Sequence, residues 1–338
     1  MPANAYFPGL DAIRFLAALS VVAFHLGYLT QAADYREIWP ITWMGWIGVQ
    51  IFFVISGFVI AKSAKGSTPL QFIKSRALRV YPAVWCCATI AFAVQGIGLL
   101  EPYIHSMLLL PKRPWIDDVY WTLAVEISFY LMILALLCLN RFSLVSRAAF
   151  VVTIFNAICL AAATMSNEWA ITISRMNLLL ANHGCFFALG IWVWYSTKRI
   201  LRVYQMLGIL LATFVGIGEI CLYGARFQPT PNHLWMIAPI LIWLAALVAI
   251  FVFAHVEIAP SNLLRRLGLM TYPLYLVHNV SGRALEARLI EIGANKWLAL
   301  GVSVAAVIAL SWIICIAWEP LVRVVLTGGT PRRTVSAS

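Results

Sequence analysis

Charged side chains are scarce in this sequence: Asp, Glu, Lys and Arg make up 11% of its 338 residues. Soluble globular domains carry roughly 25% charged residues. Here 62% of the residues are hydrophobic, and the mean hydropathy is +0.88. This composition excludes a soluble fold and indicates an all-α polytopic membrane protein.

Sequence motifs of several enzyme classes are also missing. The chain has no His-Glu-x-x-His, Gly-x-Ser-x-Gly or Walker A pattern, so metalloprotease, serine-hydrolase and ATPase chemistry have no support. The seven cysteines lie in or beside apolar segments without paired Cys-x-x-Cys spacing, which predicts core residues and no metal site. The net charge of +11 is scattered, which favours contact with anionic lipids over a nucleic-acid partner.

Ten apolar segments are long enough to cross a bilayer, which takes about 20 residues per helix. They cover residues 9–30, 43–62, 83–100, 121–140, 147–165, 177–196, 203–223, 234–256, 267–289 and 297–319. Most Lys and Arg residues lie on one side, which the positive-inside rule makes cytoplasmic together with both termini. Residues 1–326 are thus predicted to form one transmembrane domain, and residues 327–338 a disordered cytoplasmic tail.

The first segment contains two ionisable residues, Arg14 and His25. Their spacing on a helix places both on one face, about 16 Å apart along the axis. Ionisable groups inside a bilayer are costly and typically mark a pathway or a reaction centre. Glu126, in segment 121–140, is expected at the depth of His25, where a carboxylate would fix the tautomer of the imidazole.

Arg76 and Arg79 share a helix face in the connection after segment 43–62, on the predicted cytoplasmic side. Such a pair either clamps phosphate groups or is only a topology signal. Pro82 favours the clamp, because it would end a short interfacial helix and direct it along the membrane surface. With Arg14 at the same surface, three arginines are then available for a polyphosphate.

Three other places leave alternatives open. The small pair Ser56-Gly57 permits either the passage of a thin chain or plain helix packing. Pro273 should kink segment 267–289, and His278 and Asn279 beyond it either line a cavity or satisfy a freed backbone carbonyl. His183 has no companion motif and is interpreted as structural.

Five motifs follow one another along the chain: Arg14 followed by ten residues and His25; Phe52-Phe53-Val-Ile-Ser56-Gly57-Phe58; Arg76-x-x-Arg79-x-x-Pro82; Trp121-Thr-Leu-x-x-Glu126-x-x-Phe129-Tyr130; and Leu274-Tyr275-Leu-x-His278. In this order they resemble the acyltransferase-3 family of bacterial integral-membrane O-acyltransferases, which modify exopolysaccharides and other glycans. The resemblance covers essentially the whole chain. It looks most like the stand-alone type that acetylates exopolysaccharide precursors.

The resemblance implies an enzyme of the bacterial inner membrane that takes acetyl-CoA from the cytoplasm. Its acceptor would be a hydroxyl of a glycan or of a lipid-linked oligosaccharide, and homo-oligomerisation stays open. His25 is then the general base and Glu126 orients its ring, or His25 itself carries the acyl group. The substrate-binding residues that it implies are Arg14, Ser56, Arg76, Arg79, Tyr130, His278 and Asn279.

Other classes of membrane protein fit part of this pattern. A proton-coupled secondary transporter or flippase would also have many helices, a Pro-kinked segment and an intramembrane Glu/His pair. It would move its substrate without consuming acyl-CoA and would not need a cytoplasmic arginine cluster. A structural subunit leaves Arg14, His25 and Glu126 unexplained, and an acyltransferase acting on proteins or lipids conflicts with the order of the motifs.

Overall fold

The computed structural model of the protein describes residues 6–176, 179–228 and 233–328. Regular structure in these ranges is helical, and no strand is present there. Within the described residues, eight helices are long and apolar enough to cross a membrane. The predicted all-α polytopic membrane protein is confirmed, whereas the count of ten crossings and the side of the termini stay predictions. Of the predicted tail, residues 329–338 lie outside the described ranges.

Fourteen α-helices follow one another in the described ranges. They are α1 (Pro8–Gly27), α2 (Trp39–Thr42), α3 (Gly48–Ala64), α4 (Pro69–Gln95), α5 (Leu100–Met107), α6 (Trp121–Cys138), α7 (Val145–Met165), α8 (Asn167–Arg175), α9 (Gly184–Ser196), α10 (Val203–Gly224), α11 (Ile237–His255), α12 (Asn262–Glu291), α13 (Lys296–Ile313) and α14 (Glu319–Thr327). A π-helical turn, Ile314–Trp318, joins α13 to α14.

Two predicted crossings differ from the others in length or polarity. Segment 177–196 corresponds to α9, an apolar helix of only 13 residues. Segment 267–289 lies inside α12, a helix of 30 residues that carries several charged side chains. Helix α12 packs against α1, α4 and α13. Its polar residues Thr271, His278 and Glu286 are buried, whereas charged residues near its two ends are exposed.

Pro82 does not end a helix, and the predicted short interfacial helix is wrong: α4 runs without a break from Pro69 to Gln95. A proline inside a helix removes one N–H and frees the carbonyl four residues earlier. In α4 that carbonyl belongs to Leu78, and the Nε of Arg323 donates to it at 3.1 Å. The helix continues because a side chain from α14 replaces the missing backbone donor.

Close packing of α3 against α9 explains one of the small residues in the Ser56-Gly57 pair. A Cβ on Gly57 would lie 2.1 Å from the carbonyl oxygen of Phe187, and one on Gly190 would lie 1.9 Å from that of Val54. Both distances are far below van der Waals contact, so these glycines allow the two backbones to touch. Gly57 therefore serves helix packing, while Ser56 beside it lines a cavity.

The two ends of the bundle differ in chemistry. Helix α1 packs against α3 and α12 and carries Arg14 toward one end and His25 toward the other. We call the first end the arginine end, because Arg79 and Arg323 also lie there. The second is the histidine end, where Tyr28 donates a hydrogen bond of 2.6 Å to the carbonyl of Phe227.

Candidate functional site

A cavity of about 470 Å³ opens at the arginine end and extends into the bundle. Its mouth is basic, because four arginine side chains line it: Arg14, Arg76, Arg79 and Arg323. Its deeper wall includes Phe52, Ser56, Glu126, Tyr130 and Tyr275. The structure therefore brings together five residues that the sequence placed in the substrate site, and it adds Arg323 to them. We call this space the arginine cavity.

Arg79 is held by a carbonyl that a second proline releases. Pro273 lies inside α12 and frees the carbonyl of Leu269, which accepts a hydrogen bond of 3.4 Å from Nη2 of Arg79. The guanidinium also lies over the ring of Tyr272, with its carbon 5.6 Å from the ring centroid. Nη1 has no hydrogen-bond partner and is 3.8 Å from Oε2 of Glu319. The guanidinium of Arg79 thus lies at the wall of the arginine cavity, where its positive charge is suited to an anionic ligand.

The other arginines have different supports. Arg323 pairs with Glu319 one helical turn earlier in α14, and Arg14 lies 3.8 Å from Asp11 in α1. Arg76 has its guanidinium carbon 5.8 Å from the ring centroid of Phe72 and 6.0 Å from that of Tyr130. Sequence reasoning missed Arg323, because it is far along the chain from the Arg76-x-x-Arg79 motif. Only the crossing of α14 with α4 brings them together.

Glu126 belongs to the arginine cavity. Its Oε1 accepts a hydrogen bond of 2.7 Å from the hydroxyl of Tyr130 and one of 3.4 Å from that of Ser56. The hydrogen bonds of His25 go elsewhere, so the predicted contact between Glu126 and His25 is wrong. Counting residues along the two helices did not identify the partner of either side chain.

His25 pairs instead with His278 of α12. Nε2 of His278 lies 3.1 Å from Nδ1 of His25, and the two ring centroids are 4.8 Å apart. Nδ1 of His25 is also 3.0 Å from the carbonyl oxygen of Val21. Nδ1 of His278 lies 3.1 Å from the carbonyl of Leu274 and 2.8 Å from that of Tyr275. His278 thus both satisfies backbone carbonyls and contacts His25.

These contacts assign a tautomer to each neutral ring. Nδ1 of His278 faces two carbonyl oxygens, so it carries the proton and leaves a lone pair on Nε2. Nδ1 of His25 then faces two acceptors and must also carry a proton. The lone pair of His25 is consequently on Nε2. No described residue hydrogen-bonds that atom, and the ring is only partly buried, so Nε2 is available as a base.

The histidine pair lies next to the inner wall of the arginine cavity. Tyr275 lines that cavity, and its ring centroid is 5.8 Å from the ring of His278. Phe52 lines the same wall, with its ring 6.0 Å from that of Tyr275. Arg14, which lines the cavity, and His25 are about 16 Å apart along α1, and neither His25 nor His278 lines the cavity itself.

Asn279 is bound to a residue that sequence reasoning missed. Its Nδ2 donates a hydrogen bond of 2.7 Å to Oδ1 of Asp117, and Oδ2 of Asp117 accepts one of 3.3 Å from the backbone N–H of Val280. Burial raises the pKa of the Asp117 carboxyl to about 6. Asn279 does not line the arginine cavity; it lines a smaller cavity of about 310 Å³ with Arg283. Asp117 fixes α12 to the segment before α6.

In the part of the chain that the structure describes, no group of three His, Cys, Asp or Glu residues could hold a metal ion. The seven cysteines are free thiols. What the arrangement does offer is a basic mouth, a narrow interior and an imidazole with an unused lone pair.

Comparisons with known proteins agree with this chemistry. The family model described as an acyltransferase domain, that of the acyltransferase-3 family, matches residues 7–316. Nodulation protein 10 of Rhizobium leguminosarum bv. viciae is 27% identical over 361 residues, which cover 92% of this chain and 94% of that protein. Exopolysaccharide production protein ExoZ of Rhizobium meliloti (strain 1021) is 33% identical over 103 residues, 26% of this chain and 32% of that protein.

A third relative is longer than this chain. The O-acetyltransferase OatA of Staphylococcus aureus (strain NCTC 8325 / PS 47) is 23% identical over 340 residues, which cover 81% of this chain and 50% of OatA. No solved structure matches the chain. Because the family model spans most of the sequence, the chain belongs to the acyltransferase-3 family and is a membrane acyltransferase.

Proposed function

We propose that this enzyme transfers an acetyl group from acetyl-CoA, bound from the cytoplasmic side, to a hydroxyl of an exopolysaccharide or other surface glycan. The observation that carries the proposal is the basic arginine cavity with the His25–His278 pair next to it, where His278 contacts the lining residue Tyr275. The names of ExoZ and OatA, an exopolysaccharide production protein and an O-acetyltransferase, support this choice of donor group and acceptor. The lipid-linked precursor and the finished glycan are both acceptors of this class.

The donor binds in the arginine cavity. The phosphates of coenzyme A pair with Arg76, Arg79 and Arg323, because guanidinium groups bind phosphate through paired, charge-assisted hydrogen bonds. Arg14 lies deeper along α1 and receives the start of the pantetheine arm. The excess of Lys and Arg at this end supports its cytoplasmic side and an inner-membrane location.

His25 acts as general base. Its Nε2 removes the proton of the sugar hydroxyl while the hydroxyl oxygen attacks the thioester carbonyl carbon. The tetrahedral intermediate then collapses, the carbon–sulfur bond breaks, and the leaving thiolate takes the proton from Nε2. During the step in which His25 is charged, its Nδ1–H remains bound to Val21 and His278. His278 is thus a positioning residue that holds the reactive tautomer.

Glu126 has a different role from the one expected for it. Its carboxylate joins Ser56 and Tyr130 on the wall of the arginine cavity, on the same side as Arg14. It supports the channel through which the acyl chain passes and does not touch the base. A covalent route, in which Nε2 itself attacks the thioester, uses the same lone pair and differs only in forming an acyl-histidine.

The test is acetyl transfer by the purified full chain in nanodiscs, with acetyl-CoA and a glycan preparation from cells that lack the gene. We expect thiol release coupled to acetylated glycan, detected by mass spectrometry, and loss of both with His25→Ala. Uptake of glycan into sealed proteoliposomes without thiol release would identify a transporter instead. An active His25→Ala protein would eliminate the mechanism. Acetyl-labelled His25 in a digest separates the covalent route from direct transfer.

A further inference from the structure

A second cavity, of about 740 Å³, lies at the histidine end and plays no part in the mechanism above. It is formed by the segments before α6 and α9, the first residues of α6, the C-terminal ends of α7 and α10, and helix α8. We call it the aromatic cavity, because Trp115, Trp121 and Tyr223 line it. The ring centroids of Trp121 and Tyr223 are 6.2 Å apart.

The aromatic cavity is separated from the arginine cavity by a wall of rings. Phe53 lines the arginine cavity, and its centroid lies 6.3 Å from Trp121 and 5.4 Å from His183, which both line the aromatic cavity. Another set of packed rings lies between the aromatic cavity and His25. Tyr223 contacts Phe227 at 5.3 Å, Phe227 contacts Phe24 at 5.1 Å, and Phe24 contacts His25 at 5.2 Å.

The charged lining of this cavity is mostly basic. Lys112, Arg113 and Arg226 line it and are exposed. Arg113 has an acidic partner, Asp118, at 2.9 Å. Arg226 lies over the ring of Tyr223 at 5.9 Å. Lys112 and Arg226 therefore leave positive charge available to an anionic group in the cavity.

A buried polar pair is a second indication that the aromatic cavity binds a ligand. His183 and Glu219 are each only 6% exposed and both line the cavity. The backbone N–H of His183 donates to Oε2 of Glu219 at 2.8 Å, yet Nδ1 of His183 makes no hydrogen bond although it is 3.5 Å from that oxygen. The carboxyl of Glu219 also bonds to the thiol of Cys185, whereas its Oε1 has no nitrogen or oxygen donor. Buried polar atoms without partners are costly, which points to a hydroxylated ligand that completes them.

We propose that the aromatic cavity binds the acceptor, and that it selects a sugar residue bearing an acidic group. This inference rests on the proposed function, since it names the acceptor class of the same enzyme. The apolar C–H face of a pyranose packs against Trp121 and Tyr223, while its hydroxyls bond to His183 and Glu219. The acidic group pairs with Arg226 and Lys112, as carboxylates and phosphates do with guanidinium and ammonium groups.

Two sources can supply that acidic group, the carboxylate of a uronic acid or the pyrophosphate of a lipid carrier. The experiment therefore uses three probes with the full chain in nanodiscs and no acyl donor: tetragalacturonate, the neutral tetrasaccharide cellotetraose, and inorganic pyrophosphate. We expect Arg226→Gln to raise the Kd for tetragalacturonate by about tenfold, the effect of losing one charge-assisted bond. Trp121→Leu should weaken both sugars.

The matched control is Arg199→Gln, because Arg199 lies over Tyr195 at 5.0 Å in the same kind of pair but does not line the aromatic cavity. It should leave all three affinities unchanged. Pyrophosphate that binds more tightly than tetragalacturonate, and that loses affinity in Arg226→Gln, assigns the acidic group to the lipid carrier. No binding of any probe, or equal effects of the two arginine variants, overturns the proposal.

Failure of this inference and failure of the proposed function give different results. The variant His25→Ala abolishes transfer but should keep the affinity for tetragalacturonate, because His25 does not line the aromatic cavity. Binding without transfer in the unaltered enzyme would sink the enzymatic proposal and leave the sugar site standing. Transfer that continues unchanged in Arg226→Gln, with unchanged KM for the acidic acceptor, would overturn the inference about the sugar site and leave the enzymatic proposal standing.

Discussion

Nε2 of His278 lies 3.1 Å from Nδ1 of His25, which makes a neutral imidazole the partner of the proposed base. In serine hydrolases that position belongs to a carboxylate, which also stabilises the charged ring. Here the backbone carbonyls of Leu274 and Tyr275 hold the proton of His278 on Nδ1. The pair therefore fixes geometry and tautomer without a carboxylate hydrogen-bonded to either ring.

Replacing His278 tests this positioning role. His278→Ala should lower kcat about 100-fold, the usual cost of misplacing a catalytic group, with little change in the KM for acetyl-CoA. His278→Gln should recover a large part of the rate, because its amide oxygen can accept the proton of Nδ1 of His25. Steady-state kinetics and the pH–rate profile measure both effects. An equal loss in the two variants would show that His278 only fills space.

Pro273 links the fold to the donor site. Pro273→Ala supplies the N–H that Leu269 lacks, so the carbonyl of Leu269 bonds within α12 and Arg79 loses an exclusive acceptor. We expect the KM for acetyl-CoA to rise about threefold, while Arg79→Gln should raise it about tenfold or more. Neither change should lower the unfolding temperature strongly. An unchanged KM in both variants would remove Arg79 from the donor site.

Gly190 tests the close contact between α3 and α9. A methyl group at Gly190 would lie 1.9 Å from the carbonyl oxygen of Val54, so Gly190→Ala must push two backbones apart. We expect a loss of about 1–3 kcal/mol in the free energy of unfolding, measured by denaturant titration in mixed micelles. Gly98→Ala is the control, because nothing lies within 4 Å of a Cβ there. Equal stability of the two variants would contradict the packing.

Asp117 predicts a pH dependence of folding. Its carboxyl has a pKa of about 6 in the folded protein, against 3.8 for the free side chain, because it is buried. The folded state therefore binds the proton of Asp117 more tightly than the unfolded state does. The resulting stabilisation of the folded state is complete below pH 3.8 and is lost as the pH rises through 6. Over that window, unfolding free energy should fall by about 3 kcal/mol more than in Asp117→Asn. Parallel pH curves for the two proteins would contradict the raised pKa.

The sequence predicted the helical architecture well because a bilayer sets the length of each apolar segment. The two prolines were harder to interpret. Pro82 and Pro273 both lie inside long helices that continue past them. Each proline frees a backbone carbonyl, and Arg323 and Arg79 donate hydrogen bonds to these carbonyls. Those donors come from other helices, and no local pattern around either proline announces them.

Of the candidate site, the sequence identified most of the residues but not their partners. Arg14, Arg76, Arg79, Ser56, Glu126 and Tyr130 do line one cavity. His25 was paired with Glu126 on the basis of depth, whereas the structure pairs it with His278. Depth along a helix follows from counting residues, but the facing direction depends on the rotation of one helix against another. His183, interpreted as structural, lines a large cavity with Glu219, which no motif indicated.

By itself, the sequence determined that this chain enters a membrane as a set of helices and that an imidazole and several guanidinium groups accompany it there. Hydropathy and residue type decide these facts, because the apolar segments must meet lipid and every backbone group in the bilayer must find a hydrogen-bond partner within the protein. Only the tertiary structure decided which side chains touch. Contacts such as that of His25 with His278, or of Arg323 with Leu78, join residues more than 200 positions apart. They depend on how the helices pack, which is a property of the whole bundle.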